Sequence, residues 1–175
     1  SIFLLDLFFS KTTITMCGIT GFCDFSKKLN IEHLTKANAV LQHRGPDSGN
    51  EEVYDARNAT IGFGHRRLSI LDVSVNGSQP MYSDDKSVVI ILNGEIYNFK
   101  EIRKELIERG YSFHSDSDTE VVIKAYQEYG IKSVDKFIGM FAYAIYDSKK
   151  EVIYLLRDRA GVKPLYYFSK GDTLL

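Results

Sequence analysis

An internal methionine, Met16, is followed at once by Cys17, Gly18 and an apolar run that begins at Ile19. If everything through Met16 is removed, Cys17 becomes residue one and carries both a thiol and a free α-amine. A thiol near its reference pKa is only a few per cent thiolate at neutral pH and needs a base. An α-amine titrates around 7.7–8.0, far below a lysine at about 10.4, so one residue could supply nucleophile and base together. The alternative is a small buried hydrophobe at a strand start, the usual fate of a free cysteine. While Thr15 and Met16 stay joined to it, the Cys17 nitrogen is an amide and accepts no proton.

Three further places carry groups suited to such a nucleophile. Arg67, in the run His65-Arg66-Arg67-Leu68-Ser69-Ile70, is either part of a solvated face or a planar guanidinium able to hold a carboxylate bidentately. Asn93-Gly94 follows the apolar run Ser87–Leu92 and fits an Asn-Gly hairpin turn. It also fits a pair of donors, the Asn93 amide and the Gly94 N–H, aimed at one developing oxyanion. Asp118 sits in the first turn of a predicted helix, where the dipole favours a carboxylate and keeps it ionised, ready for an ammonium group.

The elements that must position these residues are legible from spacing. Cys17–Phe25 reads as a strand, with Cys23 as a core residue on the face of Cys17. Asn30 caps a helix with Ile31, Leu34, Ala37 or Asn38, and Leu41 on one side. The polar run His43-Arg44-Gly45-Pro46-Asp47 ends it. Strands are expected at 51–54 and 59–63, then a loop at 76–80. Asn98 caps a helix to Arg109 with Gly110 as its stop, and Ser117-Asp118-Thr119-Glu120 reads as a capping box opening the next helix. A short helical piece at 132–138 precedes strands at 140–146 and 151–156, and a loop from Arg157 runs into one more strand. The apolar strands lack polar alternation, so a sheet covered on both sides, in a layered α+β sandwich with helices outside, is expected.

Composition bounds the rest. With 44% apolar residues and a net charge of -1, the chain reads as one globular domain without the basic stripe of a nucleic-acid partner. Two cysteines six apart, with no C-x-x-C, suggest neither a disulfide framework nor a zinc site and fit a reducing, cytoplasmic setting. The apolar stretch 1–10 is interrupted by Asp6 and is about half the length that spans a bilayer, so no membrane anchor is expected. Residues 1–16 are read as an extension or propeptide, and 17–175 as the domain.

Met16-Cys17-Gly18-Ile19, His43–Asp47, His65-x-Arg67-Leu68-Ser69-Ile70, Asn93-Gly94-Glu95-Ile96-Tyr97-Asn98, Ser117–Glu120 and the run from Arg157-Asp158-Arg159 through Lys163-Pro164-Leu165-Tyr166-Tyr167 occur in the order seen in class II glutamine amidotransferases. Together they resemble the glutaminase domain of glutamine-hydrolysing asparagine synthetases, over nearly the whole chain from Cys17 to about Tyr167. The resemblance implies an N-terminal-nucleophile hydrolase fold, a four-layer αββα sandwich of two mainly antiparallel sheets with helices outside. It implies that Cys17 attacks glutamine, that Asn93 and Gly94 form the oxyanion hole, and that Arg67 binds the α-carboxylate. Asp118, with Glu95 nearby, would bind the α-ammonium, and His43 and His65 would be structural. No cofactor or metal is expected in this domain; ATP and magnesium belong to the synthetase domain, whose Ser-Gly-Gly-x-Asp loop does not occur in this chain. Partners implied are glutamine and a synthetase domain that receives ammonia, and the resemblance allows a homodimer of the full-length protein. Two other readings stay open: an amidotransferase serving another acceptor such as a sugar phosphate, or a silent binding domain in which Cys17 is never freed.

Overall fold

In the computed structural model, which describes residues 16–68 and 78–175, the small-residue run after Cys17 is strand β1 (Gly18–Asp24). The extension at 1–15, together with Ser69, Ile70 and the Asn76–Gly77 part of the expected loop, lies outside the described residues. Asn30 caps α1 (Ile31–Val40) as expected, its Oδ1 accepting from the Glu32 and His33 amides that the first turn leaves unpaired. Leu34 and Asn38 are its buried positions, whereas Ile31 stays exposed. The polar loop then leads to β2 (Ser48–Asp55) and β3 (Thr60–Arg67), both longer than their apolar cores suggested.

The last expected strand is two short ones, β8 (Ser169–Lys170) and β9 (Thr173–Leu174). They extend the first sheet, whose order is β2-β3-β1-β9-β8. The second sheet runs in chain order through β4 (Met81–Tyr82), β5 (Val88–Ile96), β6 (Gly139–Asp147) and β7 (Val152–Arg157). Every pairing in both sheets is antiparallel.

Strand period two explains why β5 is apolar throughout. Val88, Ile90, Leu92 and Ile96 pack under α2 (Phe99–Glu108) and α3 (Asp118–Tyr129), with Ile102, Leu106, Val121, Val122 and Ala125. Val89 and Ile91 face the other way, into a second core between the sheets with Cys23, Ile61, Phe63, Ala144 and Tyr146. Helix α1 covers the outer face of the first sheet, and α2 and α3 cover that of the second. The layers are therefore helix, sheet, sheet, helix, the αββα sandwich expected.

Three local expectations change. The Asn93-Gly94 pair makes no hairpin: β5 runs straight through it, Asn93 opposite Ala142 and Gly94 opposite Phe141 on β6. Asn98 stands at the start of α2 without capping it, because its side chain is spent on β6's approach, donating to the Lys136 carbonyl and accepting the Ile138 amide, both at 2.9 Å. Ser117 does cap α3 through the Thr119 amide, but Glu120 does not return to Ser117; it accepts the His114 and Ser115 amides instead, closing the preceding loop.

Candidate active site

Alternation places the candidate residues. On β3, Ile61 and Phe63 face the second sheet, so His65 and Arg67 face it too. On β1, Gly18 pairs with Arg66 and Ile19 with His65, which brings Cys17, just before the strand, level with Arg67 and on the same side. On β5, Val89 and Ile91 face the first sheet, so Asn93 and Glu95 do as well. Cys17, Arg67, Asn93 and Glu95 thus converge from two sheets on one end of the gap between them.

The Cys17 sulfur is fixed against the backbone at the end of β3. Its Sγ lies 3.4 Å from the Leu68 N–H that donates to it and 3.6 Å from the Leu68 carbonyl. Burial pushes the thiol up from its ordinary value, while the Leu68 N–H and the positive charges of Arg67 and Lys163 pull it down. The net shift is upward, so the thiol departs from the reference value assumed from sequence and depends more heavily on a base.

Gly94 has φ +141°, a conformation that L side chains rarely adopt, and a Cβ there would fall onto the Met140 carbonyl oxygen of β6. Asn93 is buried beside it. The Asp118 carboxylate is buried at the first turn of α3, and its Oδ2 accepts the Ile96 amide at 2.9 Å. Burial pushes the Asp118 carboxyl up against the pull of the Ile96 and Thr119 amides, and the Glu95 charge adds to the push. The helix dipole alone therefore does not decide its ionisation, as the sequence reading had it.

Of the two histidines, His43 is exposed and lies 3.0 Å from the Val40 carbonyl. His65 is 2% exposed, and burial lowers it to about 4, with the Leu92 backbone pulling the other way. It is a neutral ring between the sheets, in keeping with a structural part.

Three residues around the site were not singled out from sequence. Arg44 donates from Nε to the Cys17 carbonyl at 3.4 Å, reaching it because Gly45 lets the loop lie directly on the Arg66–Arg67 backbone, where a Cβ would collide. Gln79 is buried and bridges the two halves of the site's support, its Oε1 accepting the Leu92 amide and its Nε2 donating to Thr119 Oγ1. Lys163 is 3% exposed, with its Nζ 2.8 Å from Met16 Sδ. The polar 43–47 run and the 157–167 run were the available signals for Arg44 and Lys163; Gln79 had none.

Two stacked antiparallel sheets between helix layers, with a cysteine entering the first strand at the mouth of the gap, define the N-terminal-nucleophile hydrolase class of fold. The structure is similar to that of glutamine phosphoribosylpyrophosphate amidotransferase from Bacillus subtilis complexed with ADP and GMP, with a TM-score of 0.69 over 88% of this chain and 40% of that one. At 20% identity, that likeness speaks for the fold alone. A profile of the glutamine amidotransferase domain matches residues 16–175, and the chain belongs to that family. It is 43% identical over 163 residues to glutamine-hydrolysing asparagine synthetase 1 of Bacillus subtilis, covering 91% of this chain and 25% of the relative. It is also 43% identical over 155 residues to glutamine-hydrolysing asparagine synthetase B of Escherichia coli, covering 86% and 26%. The chain thus spans about a quarter of the length of these two relatives.

Proposed function

We propose that this chain is the glutaminase portion of a glutamine-hydrolysing asparagine synthetase, with Cys17 as nucleophile once its α-amine is free. The observation that carries the reading is the Cys17 sulfur docked on the Leu68 backbone beside Arg67, facing the end of β5 that bears Asn93, Gly94 and Glu95. Glutamine is a zwitterion, so its recognition needs a cation and an anion away from the reacting amide. Arg67 supplies the cation for the α-carboxylate; Asp118 and Glu95 supply the anions for the α-ammonium.

The thiol proton passes to the Cys17 amine as sulfur attacks the side-chain carbonyl carbon, and Asn93 and Gly94 donate to the oxyanion that forms. The carbon–nitrogen bond then breaks, the amine returns the proton to the leaving nitrogen, and ammonia departs. Water hydrolyses the remaining thioester to glutamate. The ammonia would serve ATP-dependent amidation of aspartate in the part of the relatives that this chain does not span.

The test combines N-terminal sequencing with labelling by an electrophilic glutamine analogue. Protein beginning Cys-Gly-Ile is expected to release ammonia and to be labelled at Cys17, while Cys17→Ala loses both. Full turnover with residues 1–16 still attached, or in Cys17→Ala, would overturn the reading.

A further inference from the structure

Lys163 is a buried charged group at the start of the domain that the chemistry above leaves unused. Its loop is anchored firmly: Asp158 accepts the Val162 and Lys163 amides at 2.9 and 3.0 Å and the Phe141 amide of β6 at 3.2 Å. Phe141 is the cross-strand partner of Gly94, so the loop carrying Lys163 is fastened to the strand beside the expected oxyanion donors. The side chain runs inward, and among the described residues its ammonium forms no ion pair; its near neighbour is the Met16 thioether, 2.8 Å away. Met16 is joined to Cys17 by a single peptide bond.

Resting on the glutaminase reading, we infer that Lys163 is a positioning residue: once Met16 is gone its ammonium lies beside the new α-amine of Cys17 and keeps that amine neutral, able to take the thiol proton. A like charge disfavours the protonated amine, so more of the amine is free to accept at neutral pH, and the same charge favours the thiolate that the transfer leaves behind. The proton leaves sulfur for nitrogen and nothing else changes hands. Charged groups face Lys163 from several elements, and the carboxylates among them oppose its effect on the amine. Arg44, from the loop after α1, repels its charge; Glu95 of β5, Cys17 and Asp158 of its own loop favour it; Arg67 of β3 acts on the same sulfur. Burial outweighs the favourable charges and lowers the Lys163 ammonium from its ordinary value.

The experiment is the pH profile of kcat/KM for ammonia release from glutamine by the full chain with Cys17 as first residue. In Lys163→Met the acid limb is expected to move up by about 0.5–1 pH unit, as loss of a neighbouring like charge requires, with the glutamine KM little changed. Lys163→Arg should restore the parental profile. A direct titration needs no variant: the α-carbon resonance of carbon-13-labelled Cys17 in the parent protein should report an amine below the ordinary range of about 7.7–8.0. An amine at or above that range, or superimposable profiles for parent and Lys163→Met, would overturn the inference. Parental turnover of glutamine separately decides the glutaminase reading, so the two failures are distinguishable.

Discussion

The Asp118 carboxylate accepts the Ile96 amide at 2.9 Å, which ties the first turn of α3 to the strand bearing Asn93, Gly94 and Glu95. Gln79 makes a second tie two turns of the ladder away, from the Leu92 amide to Thr119. The proposed ammonium site and the proposed oxyanion donors are thereby parts of one rigid join, and displacing either displaces both.

Asp118→Asn keeps an oxygen for the Ile96 amide but removes the charge. The KM for glutamine is expected to rise roughly 10- to 100-fold, the worth of a charge-assisted hydrogen bond of about 1.5–3 kcal/mol, with a smaller change in kcat. Without glutamine the sign reverses. Because the folded carboxyl is raised above its unfolded value, its ionised form costs stability above the folded pKa, and that cost disappears below the ordinary carboxylate range. The variant should melt no lower than the parent at pH 7, with any gain closing as pH falls to about 4. Kinetics and a series of melting curves check the two halves separately.

Gly94→Ala meets both a positive φ and the Met140 carbonyl oxygen. Backbone strain alone predicts a loss of about 1–3 kcal/mol, visible as a lower Tm. Alanine keeps the backbone N–H, but relieving the clash with Met140 re-aims it, so if Gly94 donates to the oxyanion, kcat falls by up to roughly 100-fold in the folded fraction. Parental kcat in the folded variant would remove Gly94 from the chemistry.

His65 predicts a pH slope in stability. Its folded value of about 4 lies below the ordinary one of about 6.5, so between them the unfolded chain binds a proton that the folded chain refuses. Stability should be intact above about pH 6.5 and decline by up to about 3 kcal/mol as pH falls toward 4. Denaturant unfolding at three pH values measures the decline, and His65→Gln should flatten it.

Asp158 acts in the opposite sense. Burial would raise its carboxyl, yet the Lys163, Val162, Phe141 and Gly161 amides outweigh burial and hold it low. Its stabilisation is full above the ordinary carboxylate range and is lost as pH falls through the folded value. Asp158→Ala should speed hydrogen exchange at Phe141, Val162 and Lys163 roughly tenfold or more, since each amide loses a charged acceptor. Unchanged exchange there would show that the loop is held by other contacts.

The helix starts at Asn30 and Ser117, the doubly buried strands β5 and β6 and the stop at Gly110 were readable because each depends on neighbours along the chain; β7, equally apolar, lies at the sheet edge and leaves Leu155 exposed. What failed to read was set by distant partners. Asn98 has the right type for a cap, but the Lys136 carbonyl and Ile138 amide, some forty residues on, claim its side chain. Asn93-Gly94 has the composition of a hairpin turn, and only its pairing with Ala142 and Phe141 keeps it in a strand. Cys17, Arg67, Asn93, Gly94 and Asp118 were picked out by residue type and Glu95 by the resemblance, whereas their convergence follows from the registers of β1, β3 and β5, which no local pattern states. Gln79 joins two elements through its amide and left no trace in the sequence.

The apolar filling between the sheets, Cys23, Ile61, Phe63, Val89, Ile91, Ala144 and Tyr146, acts as a shim. The sulfur hangs from one sheet and the Asn93 amide from the other, so the thickness of that shim sets the reach between the proposed attacker and the proposed oxyanion donor. Close-packed interiors pass on the loss of even one methylene, and attack geometry tolerates little drift. A hydrocarbon trimmed far from any charge would therefore detune the reaction, much as a thinner washer detunes a valve.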